Sequence, residues 1–379
     1  MLVALASGGA VAQESVKIGL ILPMTGPFTT TGKQVEAGVR FYMQQNGATV
    51  AGRKIELILR DDGGVPDNSK RIAQELLARD RVNILAGFGL TPIALAVAPL
   101  ATETKTPMIV MAAATAIVTE RSPYIVRTSF AQAQPVVIIA DWEAKQGLRK
   151  VATLVSDFAP GYDSETYFKE RFTRAGGEVV LSLRVPLLNP DFAPFLQRVR
   201  DAAPEGVFVF VPAGQAAALM RQFAERGLNT SGIRLFGAGD ITDDDLLNNM
   251  GDIMLGVETA FYYSTAHPSE KNKIFVEGMK RANNGMRANF FGVSGYDGMH
   301  LIYEAIRKAA GKTDGESFVA AARGMSWESP RGPMSIDPET RDVIHNIYLR
   351  KVEKVNGELW NVELATVENV KDPVKASRK

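Results

Sequence analysis

Short apolar runs alternate with amphipathic stretches along the first two thirds of the chain. "VKIGLILP", from Val16 to Pro23, is closed by proline and apolar apart from Lys17, as suits a strand covered on both faces. Residues 32–46 place Val35, Val39 and Met43 four apart, the spacing of one helix face. "KIELILRDD" alternates until it meets two acids. Residues 66–80 then predict a helix with Pro66 at its start and Ile72, Leu76 and Leu77 along one side. "VNILAG", "PIALAVAPLATE" and "PMIV" continue as strand, helix and strand. Parallel strands joined by helices make a doubly wound α/β layer. Beyond about residue 131 the same order restarts. Helices over 135–146, 162–175, 192–201 and 215–227 interleave with the strands "KVATLVSD", "GEVVLSLRVP", "GVFVFVP" and "IRLFGAG". The architecture repeats although the two halves share no evident sequence.

The last third changes character. Helices are predicted over 269–283, 294–310 and 316–323, then a loop at "PRGPMSIDPET" and a late strand or hairpin arm at "HNIYLRKVEK". These pieces must complete the two earlier layers, because they have no core of their own. At 379 residues, 46% hydrophobic and 22% charged, the chain is long enough for two domains. A formal net charge of +1 argues against general attraction to nucleic acid or anionic membrane. The absence of cysteine rules out disulfides, thiolate metal sites and thiol nucleophiles. "MLVALASGGAVAQES" is small and apolar and ends its apolar part in Ala10-Val11-Ala12, a small-x-small cleavage pattern. Residues 1–12 are therefore expected to be the remnant of a secretory signal. No later stretch approaches the roughly 18 apolar residues of a membrane span.

Catalytic motifs are missing. The three histidines, His267, His300 and His345, share no metal-ligand spacing. "GKT" at Gly311 lacks the earlier glycine of a phosphate loop, where Ile306 stands. "GVSGY" brings its second glycine one residue too early for a nucleophile elbow, and "GFGLTP" has Pro92 where a dinucleotide fingerprint needs glycine. The acids of "TDDDLLNNMGD" lack calcium-loop spacing. They fit a helix start instead, with Thr242 as cap and Asp245 as its box partner. No cofactor or metal is expected, and an enzyme on a two-lobed scaffold would need a motif that the sequence does not supply.

In doubly wound sheets, ligands bind beyond the carboxyl ends of the strands. The ends in the first half read "MTGPFTTTGK", "GFGLTP" and "MAAATA", rich in Gly, Thr and Ala. Small residues leave backbone N–H groups open, Thr91 and Thr115 add hydroxyls, and helix N-termini favour anions. The pattern suits a small carboxylate. Charge-assisted hydrogen bonds contribute roughly 1.5–3 kcal/mol each. Three or four would supply most of the ~8 kcal/mol that micromolar binding requires.

"VKIGLILPMTGPFTTTGK", "DDGGVPDNSKRIAQELLARDRVNILAGFGLTP" and "TPMIVMAAATAIVTERSPYIVRTSF" together resemble the leucine/isoleucine/valine-binding type of periplasmic solute-binding protein, the receptors of ABC importers. The resemblance spans the chain beyond the signal and is most specific over residues 16–131. It implies a type I periplasmic binding fold, two Rossmann-like lobes joined by three hinge crossovers. Lobe 1 would comprise 14–131 and 263–333, lobe 2 132–262 and 334–379. It also implies a periplasmic location and docking of the closed form on permease subunits of the inner membrane; a sensor presenting that form to a receptor would look the same.

By the same resemblance, Thr91, Ala113 and Thr115 would hold the ligand carboxylate. Thr31 replaces an aromatic wall residue. Tyr162 or Phe158 would supply the lobe-2 aromatic, and Phe290 or Phe291 a lobe-1 wall. Amino-acid-binding members place a glutamate where this chain has Gly239, in "GAGD", with Asp240 beside it. Two ligands follow as expectations. One is a hydrophobic amino acid whose ammonium pairs with Asp240. The other is an aromatic or aliphatic monocarboxylate without an ammonium, since an unpaired buried ammonium is costly.

Overall fold

The computed structural model describes residues 15–378, so the expected signal remnant lies outside the described residues. A six-stranded sheet forms first, in the order Thr49–Val50, Arg53–Asp61, Val16–Leu22, Ile84–Gly87, Met108–Val110 and Ile125–Arg127. All its pairings are parallel except the Thr49–Val50 hairpin. Val16–Leu22 is buried along almost its whole length, as its apolar run requires of a central strand. The second sheet runs Glu178–Val185, Lys150–Ser156, Gly206–Phe210, Arg234–Ala238 and Glu258–Phe261 in parallel. It then turns antiparallel through Val343–Val355, to which Gly332–Ile336 and Glu358–Val370 both pair, and ends at Ser326–Ser329.

The chain passes between the sheets three times. It leaves the first after Ile125–Arg127, returns after Glu258–Phe261 to lay helices Glu270–Ala282, Phe290–Lys308 and Gly315–Ala322 on the first lobe, and rejoins the second sheet at Ser326–Ser329. By sheet membership, Ser326–Ser329 and Gly332–Ile336 go with the second lobe, ahead of the change expected at residue 334. "PRGPMSI" is thus partly strand rather than loop. Pro333 opposes Glu328 near the end of the sheet and has no N–H to lose to a ladder. Among the described residues, no helix is long and apolar enough to cross a membrane.

Two other local expectations change. The helix expected over 66–80 is α only through Pro66–Glu75; Leu76–Asp80 widens to a π turn that ends at Arg81 with φ 53°. In "TDDDLL", the capping residue is Asp243, whose Oδ1 accepts from the amides of Asp245 and Leu246. Thr242 is fully buried, and its hydroxyl instead accepts from the guanidinium of Arg350. A buried guanidinium needs oxygen partners, and that demand overrides the local capping pattern. His300 packs beside Trp327, with Nδ1 3.3 Å from the Tyr42 hydroxyl, and burial lowers its pKa.

Candidate functional site

The lobes meet over a cleft built from strand ends of both sheets. The first lobe contributes Phe28, Thr31, Gly89–Thr91, Ala112–Ala114 and Phe291. The second contributes Phe158, Pro160, Phe210, Pro212, Ala213 and Asp240, and the crossover adds Phe130 and Gln132. The rims are close. The Ala116 amide donates to Asp163 Oδ2 across the gap at 3.2 Å, and a Cβ on Gly214 would lie 3.3 Å from the Pro27 carbonyl oxygen.

Met111 and Ala113 donate their amides to the carbonyls of Gly87 and Phe88, at 2.9 and 3.0 Å. The chain bends at Met111 and Ala112, just past the strand Met108–Val110, and the amides of Ala112 and Ala114 are left without a partner among the described residues. The expectation that the Ala113 N–H would hold an anion is therefore corrected: that donor is taken, and its neighbours are the open ones. Thr91 stands at the first position of the helix Thr91–Thr104, where its N–H has no intrahelical acceptor. Its hydroxyl is 3.0 Å from the hydroxyl of Thr115. Thr115 itself sits behind the cleft wall, and its carbonyl accepts from Arg127 at 2.8 Å. The first lobe thus presents a donor-rich cradle.

The second lobe presents rings and one carboxyl. Phe158 and Phe210 stack with centroids 6.0 Å apart, both on the cleft. Phe158 is the extended residue preceding the helix Ala159–Arg174, which turns its ring inward. Tyr162 lies one turn further on, 40% exposed, with its hydroxyl on Asp157 and the Arg184 guanidinium over its ring. It does not reach the cleft, which corrects that expectation in favour of Phe158. Phe290 is corrected likewise. It is fully buried, edge-on to Phe261 at 4.6 Å, while Phe291 lines the cleft. Successive helical residues point about 100° apart, so only one of the pair can face the ligand space.

Asp240 is buried on the cleft wall, and its Oδ2 has no hydrogen-bond partner among the described residues. Burial pushes its carboxyl up to about 7, against the pull of Arg350. That guanidinium is fully buried; it donates to the Tyr263 carbonyl and to the hydroxyls of Thr242 and Thr259 at 3.1 and 3.0 Å. A Cβ on Gly239 would lie 2.2 Å from its Nη2 and 2.4 Å from Phe261 Cγ. No side chain fits at Gly239, because Arg350 already fills that space.

Six expected residues, Thr31, Thr91, Ala113, Phe158, Asp240 and Phe291, share the cleft; Thr115 backs it, and Tyr162 and Phe290 lie elsewhere. Phe28, Phe130, Phe210 and Gln132 were not anticipated. Applying the strand-end rule to "GVFVFVP" in the second half would have found Phe210 and Pro212.

A family model described as periplasmic binding protein matches residues 15–357. Leu/Ile/Val-binding protein homolog 6 of Brucella abortus (strain 2308) is 44% identical over 373 residues, covering 97% of this chain and 95% of that protein. A solute binding protein of an ABC transporter from Rhodopseudomonas palustris BisB5, solved with 3,4-dihydroxybenzoic acid, is 61% identical with a TM-score of 0.94, covering 95% of this chain and 99% of that one. Its counterpart from Rhodopseudomonas palustris HaA2, solved with p-hydroxybenzoic acid, is 41% identical with a TM-score of 0.93, over 96% and 100% of the two chains.

Proposed function

The chain belongs to the periplasmic binding protein family and is a solute-binding component of an ABC transporter, and we propose that its solute is an aromatic carboxylate. The carrying observation is the Arg350 guanidinium beside Gly239 and Asp240. An ammonium group placed there would face a cation just behind a carboxyl that burial leaves only partly ionised near neutral pH. A ring without an ammonium meets no such opposition. Phe158, Phe210, Phe130 and Phe291 offer it apolar walls from both lobes. The open amides of Ala112 and Ala114, with Thr91, would receive the carboxylate. The benzoate derivatives bound by the two Rhodopseudomonas relatives support the same reading.

The protein would act in the periplasm, reached through the secretory signal expected at residues 1–12. It would hold its solute without converting it. A hydrophobic amino acid is the second reading. The unpartnered Asp240 oxygen and the name of the Brucella relative favour it. A thermal-shift and calorimetry panel of benzoate, 4-hydroxybenzoate, leucine, isoleucine, valine and phenylalanine separates the two. An aromatic acid at 100 times its Kd should add about 2.7 kcal/mol of stability, with the aliphatic amino acids giving no shift. Stabilisation by the amino acids alone would overturn the proposal in favour of the second reading.

A further inference from the structure

Two hydrogen-bond acceptors on the cleft wall have no partner among the described residues, Asp240 Oδ2 and Gln132 Oε1. Both side chains are buried, Gln132 fully and Asp240 at 6% exposure. The orientation of the Gln132 amide is fixed by its neighbours. The Ser164 hydroxyl donates to the Pro160 carbonyl at 2.8 Å, so at Gln132 it can only accept, and it takes the Nε2 hydrogen at 2.9 Å. Oε1 is therefore the atom left over. Asp240 remains an acceptor in either protonation state, since even a neutral carboxyl keeps an accepting oxygen. Buried acceptors left unmatched are costly, and the cleft contains two of them at different places. Asp240 follows the strand Arg234–Ala238 of the second lobe, across from the cradle. Gln132 flanks the cradle, its backbone amide bonded to the Ala114 carbonyl at 2.8 Å.

Resting on the aromatic-carboxylate reading, we propose that Asp240 and Gln132 read ring hydroxyl groups, so that the preferred ligand is a benzoate carrying two adjacent hydroxyls. A carboxylate has no donor to offer either acceptor, which directs it to the amides of Ala112 and Ala114. The ring then points its 4-hydroxyl at Asp240, in the opposite lobe, and its 3-hydroxyl at Gln132, on the flank. Asp240 is reached only when the lobes are shut, so the 4-hydroxyl also favours closure.

The test is a calorimetric ladder of benzoate, 3-hydroxybenzoate, 4-hydroxybenzoate and 3,4-dihydroxybenzoate on the wild-type protein and on Asp240→Ala and Gln132→Leu, with the melting temperature of each unliganded variant as a folding check. The wild type should bind more tightly with each hydroxyl added, by about tenfold per step, the worth of one well-placed hydrogen bond. Asp240→Ala should erase the 4-hydroxyl step and Gln132→Leu the 3-hydroxyl step, each step being read as the ratio to benzoate on the same variant. A flat ladder on the wild type, a swapped pattern, or a full ladder retained in the variants overturns the assignment. Binding of benzoate with no gain from hydroxyls removes this inference alone, whereas no binding of any aromatic acid removes the aromatic-carboxylate reading together with it.

Discussion

Thr91 and Thr115 show how far single residues could be read and where reading stopped. The sequence placed both hydroxyls at strand ends and treated them as equals. The structure puts Thr91 on the cleft and Thr115 behind it, joined by a 3.0 Å contact between hydroxyls. Their effects on binding should therefore differ. Thr91→Val removes a donor to the carboxylate and should weaken an aromatic acid by about tenfold or more, the range of a charge-assisted hydrogen bond. Thr115→Ala leaves that donor in place and only frees its orientation, so the loss should be smaller. Isothermal titration of both variants checks this, and a larger loss from Thr115→Ala would reverse the assignment. Arg350 marks the opposite case. It arrives from the strand Val343–Val355, about a hundred positions beyond "GAGD", so nothing local could announce that a guanidinium fills the space next to Gly239. Its neighbour Asp240 was legible as a site residue, but not its protonation.

Elements were more legible than residues. The apolar spacing over 32–46 predicted a helix found at Thr29–Asn46, and the pattern over 294–310 predicted one found at Phe290–Lys308. Both begin earlier than their periodicity suggests, because small or bulky residues in the first turn carry no clear stripe. Strands such as Ile125–Arg127 and Ser326–Ser329 went unread, being too short for a period of two to stand out. The contact between the two long helices was equally hidden. A Cβ on Gly38 would lie 1.9 Å from the Gly292 carbonyl oxygen, and one on Gly295 2.3 Å from that of Val35. These glycines let the backbones touch and fasten the late helix to the first lobe, which in turn sets Phe291 on the cleft. Gly38→Ala should therefore destabilise the protein by about 1–3 kcal/mol, despite the better helix propensity of alanine. Urea unfolding measures it, and an unchanged or raised stability would mean that the helices part without cost.

At the scale of the whole molecule, closure joins groups that an open cleft would separate. Asp163 belongs to the second lobe and accepts from the Ala116 amide of the first. Burial pushes its carboxyl up to about 6; the Ala116 hydrogen bond and the Arg127 guanidinium oppose this, and Asp372 adds to it. Tyr167 also faces it, and Asp342 and Lys375 stand behind, tied to Arg127 and Asp372. Opening the lobes removes the Ala116 contact and admits water, which returns the carboxyl towards its ordinary range near 4. A carboxyl whose pKa is higher in the closed form takes up a proton on closing wherever the pH lies between the two values. Closure on ligand then becomes easier as the pH falls from 7 towards 5, and the gain fades below the open-state value. Asp163→Asn keeps an acceptor for Ala116 but cannot titrate. Binding of an aromatic acid at pH 5.5, measured by calorimetry in buffers of differing ionisation enthalpy, should show proton uptake by the wild type and distinctly less by Asp163→Asn. Asp240 is present in both proteins, so its contribution cancels in the comparison. Equal proton counts would show that Asp163 keeps the same pKa whether the lobes are open or shut, and that the bridge to Ala116 has no part in closing them.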